Sequence, residues 1–204
     1  MLTLDHIAIS AETLTYGVPD VEEALGVDLA QGGAHEAMGT HNRLLSLGGD
    51  EYLEVIAVDP AAKRPEQPRW FDLDNFIGAT RATNWICRTP DLKAALAASP
   101  DGAGAIWPLQ RGDLRWNMAI PKNGKLPFDG LFPALIQWEG QAHPAQRLPD
   151  RDIRLARLRL VSPDAGALKE ALAPLIQDPR LEIIGGATPD MTVVLNTPKG
   201  QVAL

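Results

Sequence analysis

Short apolar runs of strand period alternate along the chain with stretches of helical period, and the alternation restarts twice. Residues 3 to 10, TLDHIAIS, alternate as a strand, and ETLTYGVPDVEEALGV follows as a Pro-interrupted helical stretch with Val21, Ala24 and Leu25 at helical spacing. A Gly-punctuated loop, QGGAHEAMGTHN, leads into a short strand, RLLSLGG, a hairpin at Gly48-Gly49-Asp50 and a long strand, EYLEVIAVD. The unit reads as βαβββ.

DPAAKRPEQPRWFDLDN then reads as an ordered linker: its prolines exclude a central strand or helix, and the adjacent aromatics Trp70 and Phe71 are too apolar to be left in water. The unit restarts with TNWICRT as strand, PDLKAALAAS as a helix expected to be better formed than the first, GAIWPLQ and LRWNMAIP as strands around a turn at Arg111-Gly112-Asp113, and FPALIQWE as the closing strand. After the polar stretch GQAHPAQRLPDRD the pattern returns more loosely as IRLARLRLVS, DAGALKEALAPLI, LEIIGG, MTVVLNT and QVAL. The expected boundaries are 1–59 for the first unit, 60–80 for the linker, 81–145 for the second unit and 152–204 for the third. One such unit cannot cover its own sheet face, so this is a repeat architecture. The fold class is α+β, with two paired βαβββ modules forming a curved mixed sheet, helices outside, and a third partial module at the C-terminus.

Composition narrows the function. The 204 residues are 45% hydrophobic and 22% charged, ordinary for a globular protein. A net charge of -7 argues against nucleic-acid or anionic-membrane surfaces, which need clustered Lys and Arg. The single Cys87 rules out an internal disulfide and a thiolate cluster. MLTLDHIAIS lacks the basic start and long apolar stretch of a secretory signal, and no apolar run approaches a membrane span, so a soluble cytoplasmic protein is expected. Nucleophile elbows and phosphate-binding Gly-rich loops with Lys are absent from the sequence.

The runs LDHIAIS, GTHNRLLSLGGDEYLEVIAVDP, ICRTPDL, RGDLRW and PALIQWEGQAHPA resemble the vicinal oxygen chelate superfamily and, within it, the glyoxalase-like branch, over roughly residues 1 to 145. That superfamily hosts lyases, isomerases, ring-cleaving dioxygenases, resistance transferases and metal-free sequestering proteins on one scaffold. Its enzymes hold a divalent metal in the cup of the sheet with ligands from the first and fourth strands of each unit. Carried over, those positions are His6, Glu54, Asn84 and Gln137; the resemblance implies His6, Glu54 and Gln137 as metal ligands, with Glu54 as ligand or catalytic base.

Strand parity places His6 with Leu4 and Ala8, and Glu54 with Tyr52 and Ile56, on the cup face. One His and one Glu, joined by two neutral amides, are a thin set beside the three anionic or imidazole ligands of catalytic zinc. Ligand-binding candidates are Asn42 and His41 in GTHNRL, Arg88 and Arg115 as carboxylate partners, Asn84, and His143 beyond the last strand. Arg111 reads as an exposed hairpin residue and His35 as exposed. Trp85 and Trp138 read as packed under the helices, and Trp70, Trp107 and Trp116 either as walls of the cup or, for any single one, as core packing.

Two readings of function follow. In one, the protein is a divalent-metal-dependent lyase or isomerase acting on a carbonyl or carboxylate compound, the metal stabilising an enediolate-like intermediate. In the other, it is a metal-free protein that binds or sequesters a small molecule in the same cup, which accounts directly for the amides at 84 and 137. A regulatory or structural module remains a third. A small-molecule ligand is the expected partner, with no nucleic acid and no membrane, and the edge strand QVAL offers a surface for a homodimer.

Overall fold

The computed structural model describes all residues, 1–204. The first unit runs β1 (Thr3–Ser10), α1 (Leu14–Leu25), β2 (Ala30–His35), β3 (Thr40–Gly48) and β4 (Glu51–Val58). The second runs β5 (Arg81–Arg88), α2 (Leu92–Ala97), β6 (Ala105–Arg111), β7 (Leu114–Ile120) and β8 (Ala134–Trp138). Together they build one eight-stranded mixed sheet in the order β2-β3-β4-β1-β5-β8-β7-β6. Within each unit the first and last strands pair in parallel, and β1 and β5 join the two halves antiparallel.

The third unit repeats the element order with β9 (Arg154–Ser162), α3 (Ala165–Leu172), β10 (Leu181–Gly185), β11 (Asp190–Thr197) and β12 (Gly200–Ala203). Its connectivity differs. β9 lies between β10 and β11 in a separate four-stranded sheet, whereas β1 and β5 pair with the last strands of their units.

Local chemistry explains the helices. α1 buries Leu14, Gly17, Val21 and Leu25, residues three or four apart, and ends at Gly26, whose φ of 69° is the left-handed conformation of a helix stop. α2 begins at Asp91, whose carboxylate accepts from the Ala94 amide, but it lasts only 6 residues against 12 in α1. The expected ranking of the two helices is reversed. Ser99-Pro100 ends the second early, since the residue before a proline avoids helical geometry, while Pro19 is accommodated inside α1.

Strand alternation divides the core in two. Ile7, Ile9, Leu53, Val55, Trp85, Cys87 and Leu135 face the helices and the third unit's Leu155, Leu158, Leu160 and Val193. The concave face carries Ala8, Ile56, Ile86, Trp116, Met118, Ala134 and Ile136, and the linker drops Trp70, Phe71 and Leu73 onto it. The linker is pinned by Arg69, which bonds Asp74 and the Gly39 carbonyl, and by the Asp72 amide on the Gly124 carbonyl. The cup is therefore largely filled by protein.

Candidate functional site

The site begins with an irregularity. Leu4 pairs with Cys87 and His6 with Ile86, so Asp5 is an extra residue in β1, a β-bulge. Strict parity assigns Leu4 to the cup and Asp5 to the helix side. The bulge reverses both: Leu4 joins the core under the helices, and the Asp5 carboxylate joins the cup-side polar cluster.

Asp5 is fully buried and is the hub of that cluster. Its Oδ1 lies 2.6 Å from His6 Nδ1, and its Oδ2 accepts from Trp138 Nε1 at 2.9 Å and meets His143 Nε2 at 3.1 Å. Burial works against its charge, but the hydrogen bonds and charges of His143 and His6 outweigh burial and hold its carboxyl well below the usual range. His6 stacks on Tyr52 with ring centroids 4.4 Å apart and turns Nε2 toward Glu54 Oε1 at 3.5 Å. Burial opposes a charge on His6 too, yet bonding to Asp5 and Glu54 raises its pKa to about 9. The imidazolium is the stable form at neutral pH. Burial pushes Glu54 up, and His6, His35 and Asn42 pull it further down, so it is a carboxylate.

A second chain of bonds continues from Glu54. Asn42 Nδ2 donates to Glu54 Oε2 at 2.7 Å, and Arg111 Nη1 donates to Asn42 Oδ1 at 3.1 Å and lies 2.9 Å from His35 Nε2. His35 Nδ1 is 3.1 Å from Thr40 Oγ1. Burial, with Arg111 adding to it, drives the pKa of His35 down to about 4, so this imidazole is neutral. A cavity of about 30 Å³, the room of a water-sized group, lies among His6, Glu54, Asn42, His35, Arg111 and the aromatic walls Trp70, Phe71, Trp116 and Trp138.

The structure brings His6, Glu54 and Asn42 together as sequence candidates and sends several others elsewhere. Gln137 lies on the helix side, where its Oε1 accepts from the Leu92 amide and its Nε2 donates to the Pro90 carbonyl; it caps α2 and cannot reach the cup. Its neighbour Trp138 occupies the cup instead, correcting the parity that placed Trp138 under the helices. His41 pairs with Ala57, a helix-side residue, so it faces away from Asn42's cavity. Arg115 is exposed on the outer face of β7, and Arg111 enters the cup in its stead. Arg88 lies 3.6 Å from Asp5 Oδ2 and bonds the Leu4 and Asp50 carbonyls, outside the cavity. His143 serves Asp5 and caps the turn at Ala145. Asn84 faces the cup side but opens onto a different recess. Trp107 is exposed, and His35, expected outside, is buried.

Register also bears on the choice of metal ligands. A second bulge leaves Thr83 unpaired in β5 as Asp5 is in β1, so Asn84 stands to its half as His6 stands to the first. Ala8 pairs with Glu54, and the equivalent Ile86 pairs with Ala134. The counterpart of Glu54 is thus Ala134, which carries no donor. No group of three or more His, Cys, Asp or Glu side chains converges as a metal cage, and the cavity lined by His6, His35 and Glu54 also admits the Arg111 guanidinium, 2.9 Å from His35 Nε2. The residues present do not suit a divalent ion.

The sequence profile described as Glyoxalase-like domain matches residues 4–176. The chain belongs to the glyoxalase-like domain family. It shares the vicinal oxygen chelate fold, as the curled eight-stranded sheet shows. No curated protein matches it. Among solved structures, a hypothetical protein from Staphylococcus aureus is similar over 100% of this chain and 84% of its own, with 16% identity and a TM-score of 0.58. Methylmalonyl-CoA epimerase from Streptomyces coelicolor, in complex with 2-nitronate-propionyl-CoA, aligns over 69% of this chain and 100% of its own at 18% identity and TM-score 0.45. The Mycobacterium tuberculosis epimerase aligns over 68% and 88% at 19% identity and TM-score 0.42. At 16% identity, the likeness to the Staphylococcus aureus protein shows the fold alone. No helix in this glyoxalase-like protein is long and apolar enough to cross a membrane.

Proposed function

We propose that the cup binds a small carbonyl- or carboxylate-bearing molecule without a resident divalent metal. The observation that carries this reading is the pairing of Glu54 with His6, Asn42 and, through Asn42, Arg111 around one cavity, while the opposite half contributes Ala134 and aromatic walls. The protein's own N–H groups supply the positive field that an oxygen ligand needs. Trp70 in the cavity wall adds an indole N–H that is buried without a partner.

A second reading, an isomerase or lyase, draws support from the 3.5 Å separation of His6 Nε2 and Glu54 Oε1. With a carbonyl oxygen held by His6, the Glu54 carboxylate would take a proton from the adjacent carbon; the electron pair would pass to oxygen as an enolate, and Glu54 would return the proton. Both readings need the linker aromatics to move, because about 30 Å³ admits no substrate.

The deciding experiment is metal analysis of protein purified without chelator or His-tag, with thermal shifts in manganese, zinc, nickel, iron(II) and magnesium. The expected result is substoichiometric metal and unchanged melting. Near-stoichiometric metal that disappears in His6→Ala would overturn the metal-free reading, since tight occupancy stabilises by several kcal/mol, about 4 at a thousandfold excess over Kd.

A further inference from the structure

A second recess, a cleft of about 260 Å³, opens at the start of β5. Asn84 is in its floor, Phe71 and Phe76 of the linker and Gly130 form walls, and Arg81, Asp72 and Asp190 stand at its rim. Phe71 is the one residue that also lines the polar cavity, so its ring separates the two spaces.

Asn84 is only 3% exposed, yet its carboxamide makes no hydrogen bond to the protein, whereas the polar pair beside it, Ser10 and Thr83, is closed at 2.6 Å. The fully enclosed side-chain polar atoms without a partner are those of Thr13, His41 and Trp70; the Asn84 amide instead faces the open cleft, where water or a ligand satisfies it. Space above it is kept open by Gly130, where an added Cβ would lie 3.9 Å from Asn84 Nδ2. Backbone strain gathers here as well: of the five non-glycine residues with positive φ, Phe71 (60°), Asp72 (53°) and Asp129 (57°) line this cleft. Strained backbone of this kind collects at ligand clamps.

The charges at the rim are unmatched. Arg81 lies 4.4 Å over the Phe76 ring and donates through Nη1 to the Ile77 and Ala79 carbonyls, with no carboxylate partner. Asp72 bonds Asn75 and Asp190 bonds Thr192, neither meeting a cation, while Lys125 and Asp129 pair with each other at 3.1 Å. One free cation and two free anions around an uncommitted amide suit a zwitterion. We infer that this cleft binds a free amino acid, its carboxylate held by Arg81 and the Asn84 N–H groups, its ammonium by Asp72 or Asp190, and its side chain against Phe71 and Phe76. The volume fits a molecule of that size and is small for drug-sized ligands.

The test is a ¹H–¹⁵N NMR titration with L-alanine, L-asparagine and L-phenylalanine, using propionate and propylamine as single-charge controls. At least one amino acid is expected to give saturable shifts at Asn84, Gly130 and Met191. Each control should bind about tenfold more weakly, the loss of one charge-assisted contact. Arg81→Ala, at an exposed position, should weaken binding by about the same factor, as should Asn84→Ala. No saturable shift up to about 10 mM, a range that covers millimolar Kd values, would overturn the proposal. So would equal binding of propionate and the amino acids, or shifts centred on Glu54.

Discussion

Asp5 and His6 are adjacent in sequence and bonded side chain to side chain at 2.6 Å, which an unbroken strand forbids because neighbours point to opposite faces. The bulge allows it, and the same carboxylate also takes Trp138 and His143. Asp5→Asn keeps the shape and removes the charge. We expect a loss of about 3 kcal/mol in urea unfolding, the scale of breaking a buried ion pair, and a His6 pKa that falls from about 9 toward its ordinary value in NMR titration. An unshifted His6 in a stable variant would show that Asp5 is not its anchor.

Two of the buried histidines, His6 and His35, shift in opposite directions and bound stability from both sides. His35, at about 4 when folded against 6.5 unfolded, refuses a proton that the unfolded chain accepts, so its contribution is complete above pH 6.5 and is lost as pH falls toward 4. His6, at about 9, keeps a proton that the unfolded chain releases, so its contribution is complete below pH 6.5 and is lost as pH rises toward 9. Unfolding free energy should peak near pH 6.5 and decline on each side by at most about 1.4 kcal/mol per pH unit for each group. Urea melts from pH 4 to 9 check this; a flat profile between 6.5 and 9 would contradict a charged His6.

The repeated units were legible because their strands and helices keep distinct periods, and His6 and Glu54 stand out as polar groups on the inner faces of strands; Asn42 reads as the end of a Gly-punctuated loop, whereas it lies in β3. The bulge at Asp5 was hidden, since nothing in LDHIAIS interrupts its alternation. That one residue displaces Leu4 and Asp5 from their expected faces. Gln137 was misplaced for a related reason: a glutamine and a tryptophan side by side fit either parity, and only the pairing of Cys87 with Leu135 and Arg88 with Ile136 sends Trp138 inward. QGGAH reads as loop because it has no apolar alternation, yet it forms most of β2. Arg111 looked like a turn residue because its role depends on the cup bringing distant Asn42 and His35 beside it.

The glycines that hid β2 set the site. A Cβ on Gly32 would lie 2.2 Å from Asn42 Oδ1 and 2.3 Å from the Asn42 carbonyl oxygen, and the latter is backbone that cannot swing aside. Gly32→Ala should therefore displace Asn42 from Glu54 and Arg111 and cost about 2 kcal/mol, within the range for overpacking. A thermal melt and the Asn42 side-chain amide resonance report the two effects; an undisturbed Asn42 signal would place β2 farther from β3.

Gln137 distinguishes a cap from a metal ligand. Its amide bonds the Leu92 N–H and the Pro90 carbonyl at the start of α2. Gln137→Ala should cost about 1 kcal/mol, the usual worth of a helix cap, and leave the His6 titration unmoved. A His6 pKa altered by this substitution would return Gln137 to the cup.

Phe71 carries the sharpest conflict in the molecule between packing and backbone. Its ring is buried and divides the polar cavity of about 30 Å³ from the cleft of about 260 Å³, yet its φ of 60° lies where L-residues are strained. Phe71→Ala removes the ring and keeps the strain, so a loss of about 3 kcal/mol is expected, as for other buried Phe truncations. Phe71→Gly removes the ring and relieves the strain. It should be more stable than the alanine variant by about 1 kcal/mol, the reverse of the order these residues show in ordinary strand or helix positions. Denaturant melts of the two variants decide this: equal stability, or alanine ahead, would mean that the left-handed turn at Phe71 is not held in solution and that the partition between the two cavities is looser than its geometry requires.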